Sequence, residues 1–192
     1  MKHTIVCYVF LLVSCQVGNE QNKIINNKIK IETRAKSNDS SLYEPTFRDV
    51  QKEFALIYKK EIDIDTSLKV KGQTLSVRFK HYCLFDTLVI PSKYNWAESP
   101  KNFYVHNFVS KLLVTKGNDT IVNTIIKKDM FNRLLDNSLV MYGVLLFPTY
   151  MGLNQKTNSI QIYYSISIPL TDVGQSVLLN IGLNGKIKVC AE

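Results

Sequence analysis

The sequence lacks any run of about 18 uninterrupted apolar residues, the length a membrane-spanning helix needs. Its longest apolar stretch, Thr4 to Ser14, is about eleven residues, and at ~1.5 Å per residue it covers roughly half the hydrocarbon core. Histidine is scarce at three residues, and no His-Glu-x-x-His occurs. Also missing are a Gly-x-Ser-x-Gly elbow, a Ser-x-x-Lys at a helix start, a phosphate-binding loop and a dinucleotide fingerprint. Each gap removes the local signature of an enzyme class. No block of five basic residues appears, and no strand–helix–strand rhythm of a parallel sheet is present.

The residues present bound the molecule. The chain has 192 residues, 45% of them hydrophobic, enough for one domain with a proper core. Its formal charge is +8, spread over Arg78 and Lys80, Lys111 and Lys116, and Lys127 and Lys128. Scattered lysines read as solvated faces, so no nucleic-acid partner is expected.

Lys2 followed by the apolar stretch to Ser14 has the shape of a secretory signal, expected over residues 1–14. The junction Leu12-Val13-Ser14-Cys15 resembles the lipobox of bacterial lipoproteins. A nucleophilic thiol there takes a diacylglycerol, and cleavage frees an amine for a further acyl chain such as palmitate. Two or three chains, at ~0.8 kcal/mol per buried CH2, hold where one would be marginal. Cys15 is therefore the expected lipid attachment and the membrane the expected partner. By the same resemblance, Gln16 in place of Asp implies outer-membrane placement, and Val17-Gly18-Asn19-Glu20, which is not an acidic cluster, favours the periplasmic face over the cell surface. Residues 15–44, rich in Asn, Lys, Gln and Ser, predict a flexible tether reaching roughly 30 Å.

Residues 45–192 form the expected domain. Phe47, Val50, Phe54 and Ile57 make one helical stripe, with Thr46 and Asp49 suiting a capping box. Most of the remaining chain predicts strands. Leu75, Val77 and Phe79 alternate with Ser76, Arg78 and Lys80, the pattern of an antiparallel strand with one wet face. Further strands are expected at 87–90, 108–115, 120–126, 139–147, 160–168, 177–183 and 186–189. Turns fall at Lys116 to Asp119 and Asn184-Gly185, and a short helix within "KKDMFNRLL". The predicted fold is mainly β: an antiparallel curled sheet or sandwich of about seven to eight strands with one or two short helices.

The hairpin in "VTKGNDTIVNTIIKKDMF", an apolar strand and the closing "NIGLNGKIKV" resemble small Bacteroides-type lipoproteins grouped as domain of unknown function family 4738. The helix start Lys128-Asp129-Met130-Phe131 carries much of that resemblance, which covers about residues 68 to 190. It implies an envelope location, no established activity and no catalytic residue.

Several side chains are candidates for chemistry. Cys83 and Cys190 are either a disulfide or two buried thiols. His81 and His106 are too few for a zinc site, and no metal or cofactor is expected. Asp63 and Asp65 share one strand face and read as a solvated edge. Asp86-Thr87-Leu88 and Asp119-Thr120-Ile121 look like acceptor sequences for O-glycosylation at Thr87 and Thr120, though both threonines suit strand starts equally. The long segment between Pro91 and Phe108 holds Tyr94, Trp96, Phe103 and Tyr104, which either stack on a ligand or cap the β core. The expected function is non-catalytic binding of an envelope protein or glycan. The alternative is a hydrolase acting on envelope polymers.

Overall fold

The computed structural model describes residues 45–96 and 101–191. The signal segment, Cys15 and the whole tether lie outside those residues. Helix α1 spans Phe47–Ala55 and runs into a 3-10 turn, Leu56–Lys59. Strands β1 (Ile62–Val70) and β2 (Gln73–Cys83) come next, then the short β3 (Leu88–Ile90) and β4 (Phe103–Val105). After them lie β5 (Phe108–Lys116), β6 (Asp119–Ile126) and a 3-10 turn, Lys128–Phe131. Helix α2 (Asn137–Tyr142) precedes β7 (Val144–Asn154), β8 (Ser159–Ser167), β9 (Gly174–Gly182) and β10 (Ile187–Ala191).

The strands pair antiparallel in two four-stranded sheets, β1-β2-β5-β6 and β10-β9-β8-β7, plus the two-stranded β3-β4. Alternation explains the layering. Leu75, Val77, Phe79, His81 and Cys83 of β2 point inward, while Arg78 and Lys80 point out and meet Asp65 at 3.2 Å and Glu61 at 2.7 Å. From the facing sheet, Ile160, Ile162, Tyr164 and Ile166 of β8 and Val177, Leu179 and Ile181 of β9 complete the main core. Two sheets whose inner faces share one apolar core form a β-sandwich.

A second apolar cluster caps one end. Phe47, Phe54 and Ile57 of the α1 stripe meet Ile90, Phe103 and Val105 of the small sheet, together with Phe108, Leu139 and Ile168. The expected capping box is present: Thr46 Oγ1 accepts from the Asp49 N–H at 3.3 Å, and Asp49 Oδ2 accepts from the Thr46 N–H at 3.3 Å.

Two readings change. The strand expected at 139–147 is divided into α2 and β7. Asp136 caps the helix, accepting from the Leu139 N–H at 2.9 Å. Gly143 ends it, where a Cβ would stand 2.5 Å from the Leu139 carbonyl oxygen. The apolar run alone hid that break. Among the described residues the strand count is ten, because β4 lies inside the aromatic segment expected to be a loop and β1, read only as an edge carrying Asp63 and Asp65, is a full strand. At β9–β10, Gly185 takes φ +78 and donates to the Gly182 carbonyl at 2.9 Å, a three-residue loop with a left-handed Gly instead of a two-residue Asn-Gly turn.

Candidate functional site

Pro91 ends β3 and opens a 3-10 turn, Ser92–Tyr94. Its backbone closes through Tyr94 N–H to the Pro91 carbonyl at 3.0 Å and Asn95 N–H to the Ser92 carbonyl at 2.9 Å. The return leg braces it: Asn102 Oδ1 accepts from the Ser92 N–H at 2.9 Å, and Asn95 Nδ2 donates to the Lys101 carbonyl at 3.2 Å. These bonds tie the two described legs of the segment to each other.

The four aromatic residues separate. Phe103 is 3% exposed and belongs to the cap core, so burial removes it from the set of candidate ligand contacts. Its ring meets Phe47 edge-on at 5.3 Å, and Phe47 in turn meets Trp96 edge-on at 5.5 Å. Trp96 is thus braced from below yet 56% exposed. Tyr94 rests on Tyr142 at 5.5 Å, with the Lys93 ammonium 4.9 Å from the Tyr94 ring centroid. Tyr104 opposes Val89 across β3–β4; both are exposed and neither lines the groove formed by the other two rings.

That groove encloses about 500 Å3. One wall carries Lys93, Tyr94 and Trp96, and α1 contributes Val50. The other wall is the β8–β9 turn, with Thr171 and Asp172. The turn is held by its own bonds: Thr171 Oγ1 donates to the Ile168 carbonyl at 2.8 Å and accepts from the Val173 N–H at 3.1 Å. Sequence reasoning missed this wall, whose signal was the turn composition of "PLTDVG". The arrangement is one flat, half-exposed ring beside short polar side chains. It can stack on an apolar ring face while hydrogen-bonding the edges of the same ligand.

The other candidate residues lie elsewhere. His81 is buried, with Nδ1 2.9 Å from Ser110 Oγ and its ring stacked on Phe108 at 5.3 Å. Burial pushes its pKa down to about 4. Ser110 is 0% exposed, so this Ser–His pair sits in the core where no substrate reaches it. Burial also lifts the nearby Tyr164 phenol, with Ser110 pulling the other way. His106 Nδ1 donates to the Asp86 carbonyl, and the Asp86 carboxylate accepts from the Asn107 N–H at 2.7 Å and Nδ2 at 2.8 Å. Cys83 and Cys190 are both free, the first buried in the cap and the second exposed on β10 of the opposite sheet. The disulfide is not formed. Thr87 and Thr120 are both exposed, and Asp63 and Asp65 point outward from β1. Among the described residues, no three His, Cys, Asp or Glu side chains gather as metal ligands.

The model of the family described as a domain of unknown function (DUF4738) matches residues 46–189, and the chain belongs to that family. No curated protein matches the chain. The match begins at Thr46, the cap residue of α1, so the helix that floors the groove is part of the family's domain. The structure also explains the Lys-Asp-x-Phe motif. The Lys128 ammonium donates to the Val140 carbonyl of α2 at 2.6 Å, and Phe131 is fully buried in the main core.

Proposed function

We propose that this protein is a lipid-anchored envelope lipoprotein whose capped end binds a glycan without catalysis. The observation that carries the reading is Trp96: more than half exposed, braced edge-on by Phe47, and facing Thr171 and Asp172 across the groove. Sugar rings offer an apolar face for stacking and a rim of hydroxyls for short polar side chains, which is the chemistry this groove presents. The lipobox-like Leu12-Val13-Ser14-Cys15 supports placement at the outer membrane, on its periplasmic side, through acyl chains on Cys15. The hydrolase reading has less support, because the Ser110–His81 pair is buried and Asp172 is the single carboxylate among the described residues that line the groove.

Trp96 is the chain's one tryptophan, so indole emission excited beyond the absorption of the ten tyrosines reports this groove alone. Titration with a panel of envelope oligosaccharides is expected to quench and blue-shift that emission, and Tyr94→Ala to weaken the response at least tenfold. Calorimetry with Trp96→Ala is expected to show binding lost. An unchanged emission across the panel, with equal capture from intact envelopes by wild type and Trp96→Ala, sinks the groove. Mass spectrometry finding Cys15 without acyl chains sinks the anchor.

A further inference from the structure

The end of the sandwich opposite the cap carries a second groove, of about 330 Å3, where three hairpin turns converge. Its floor is apolar: Val70, Leu75, Ile121 and Leu183. Val70 and Leu75 are 7% and 3% exposed, so the floor continues into the buried core. The turn bearing Leu183 is seated tightly on β6, since a Cβ at Gly185 would stand 2.8 Å from the Ile121 carbonyl oxygen. On the rim stand Lys71 and Lys116, both exposed. Among the described residues no carboxylate forms a salt bridge with either. Lys71 holds φ +48 in the two-residue β1–β2 turn, a left-handed position that Asn, Asp or Gly occupies at less cost. A strained lysine at the mouth of an apolar groove is an outlier that asks for a reason.

We infer that this groove binds a single-chain apolar acid, its acyl chain along the floor and its carboxylate between Lys71 and Lys116. The volume lies in the range of small-molecule sites, and the lining divides evenly between the four apolar residues and the polar Lys71, Gln73, Lys116 and Asp119. Asp119 also lines the rim and opposes an anion, so the two lysines leave a net charge of +1. That carboxylate provides a control. The site is independent of the aromatic groove: β2 runs from Gln73 at this end to Cys83 in the cap, about 33 Å at ~3.3 Å per residue.

The test is calorimetric titration of the full chain with decanoate, decanol and acetate. Decanoate is expected to bind at least tenfold tighter than decanol, and acetate not at all. Lys71→Asn/Lys116→Gln, in which Asn suits the left-handed turn, is expected to lose at least tenfold for decanoate and nothing for decanol. Asp119→Asn is expected to tighten decanoate alone, and Leu183→Asn to abolish binding. Far-UV circular dichroism confirms that each variant is folded. Trp96 emission is expected to stay constant throughout. Absent decanoate binding, equal affinities for decanoate and decanol, acetate binding as well as decanoate, or indifference to the double lysine change each overturns the proposal. So does a Trp96 response in step with decanoate, which places the ligand in the cap.

Discussion

At the scale of single residues, folding strongly changes the protonation of His81. Its ring lies between the sheets, stacked on Phe108 and bonded to Ser110, and its pKa falls to about 4 from the usual 6.5 because burial penalises the charged form. The folded state therefore prefers neutral histidine more strongly than the unfolded chain does. Its contribution to stability is complete above about pH 6.5 and is lost as the pH falls toward 4, by up to about 3 kcal/mol. Urea unfolding across that window is expected to show the decline, and His81→Leu to flatten it relative to wild type. An equal slope in both proteins assigns the pH dependence to surface carboxylates instead. Trp96 makes the opposite case. Its edge contact with Phe47 is worth about 0.5–1.5 kcal/mol beyond the area it covers, and with more than half of the ring in water Trp96→Ala is expected to cost about 1–2 kcal/mol of stability while removing binding. A larger loss, seen by thermal melting, makes the ring a structural cap.

At the scale of elements, α2 is the least self-sufficient. Six residues are too few for a stable isolated helix, and its two ends rely on outside groups. Asp136 caps the start through Leu139 N–H, and Lys128, reaching in from the preceding 3-10 turn, satisfies Val140 near the end. Burial lowers the Lys128 pKa, yet the carbonyl bond holds the ammonium in place. Lys128→Met is expected to cost about 1–3 kcal/mol, because it strands a part-buried acceptor. Asp136→Ala is expected to cost about 1 kcal/mol through the lost cap. Chemical denaturation measures both, and near-zero changes refute the dependence of α2 on these two groups. The Lys-Asp-Met-Phe segment at Lys128 is then a packing device: one residue ties down α2 while Phe131, three residues on, fills the sandwich core.

At the scale of the whole domain, two apolar clusters share one framework. Strands β2, β5 and β7 contribute to both, and Leu135 packs against both. Rings continue the link from cap to sandwich: Tyr58 to Phe108 at 6.0 Å, Phe108 to His81 at 5.3 Å, and His81 to Tyr164 at 6.5 Å. Shared strands and continuous packing imply one cooperative transition. Urea curves followed by Trp96 emission, which reads the cap, and by far-UV circular dichroism, which reads the sheets, are expected to coincide. Emission changing at distinctly lower urea shows that the cap opens by itself.

Local pattern determined a good deal by itself. Period-two alternation in "TLSVRFKHY" and the Phe47 to Ile57 stripe each reached the structure with the right face inward, because burial of one face is a property that neighbouring residues carry together. Tertiary structure decided what alternation does not encode. Apolar residues from 139 to 147 satisfy a strand pattern, yet the first part is a helix, capped by Asp136, tied at Val140 by Lys128 and ended at Gly143. Phe103 and Trp96 belong to one aromatic segment, yet one is sealed in the cap and the other left half in water by where α1 docks Phe47. The far wall of the groove comes from residues some 75 positions away, Thr171 and Asp172, which meet Trp96 only once the sheets have stacked. Such meetings depend on long-range packing, and no window of neighbouring residues contains that information.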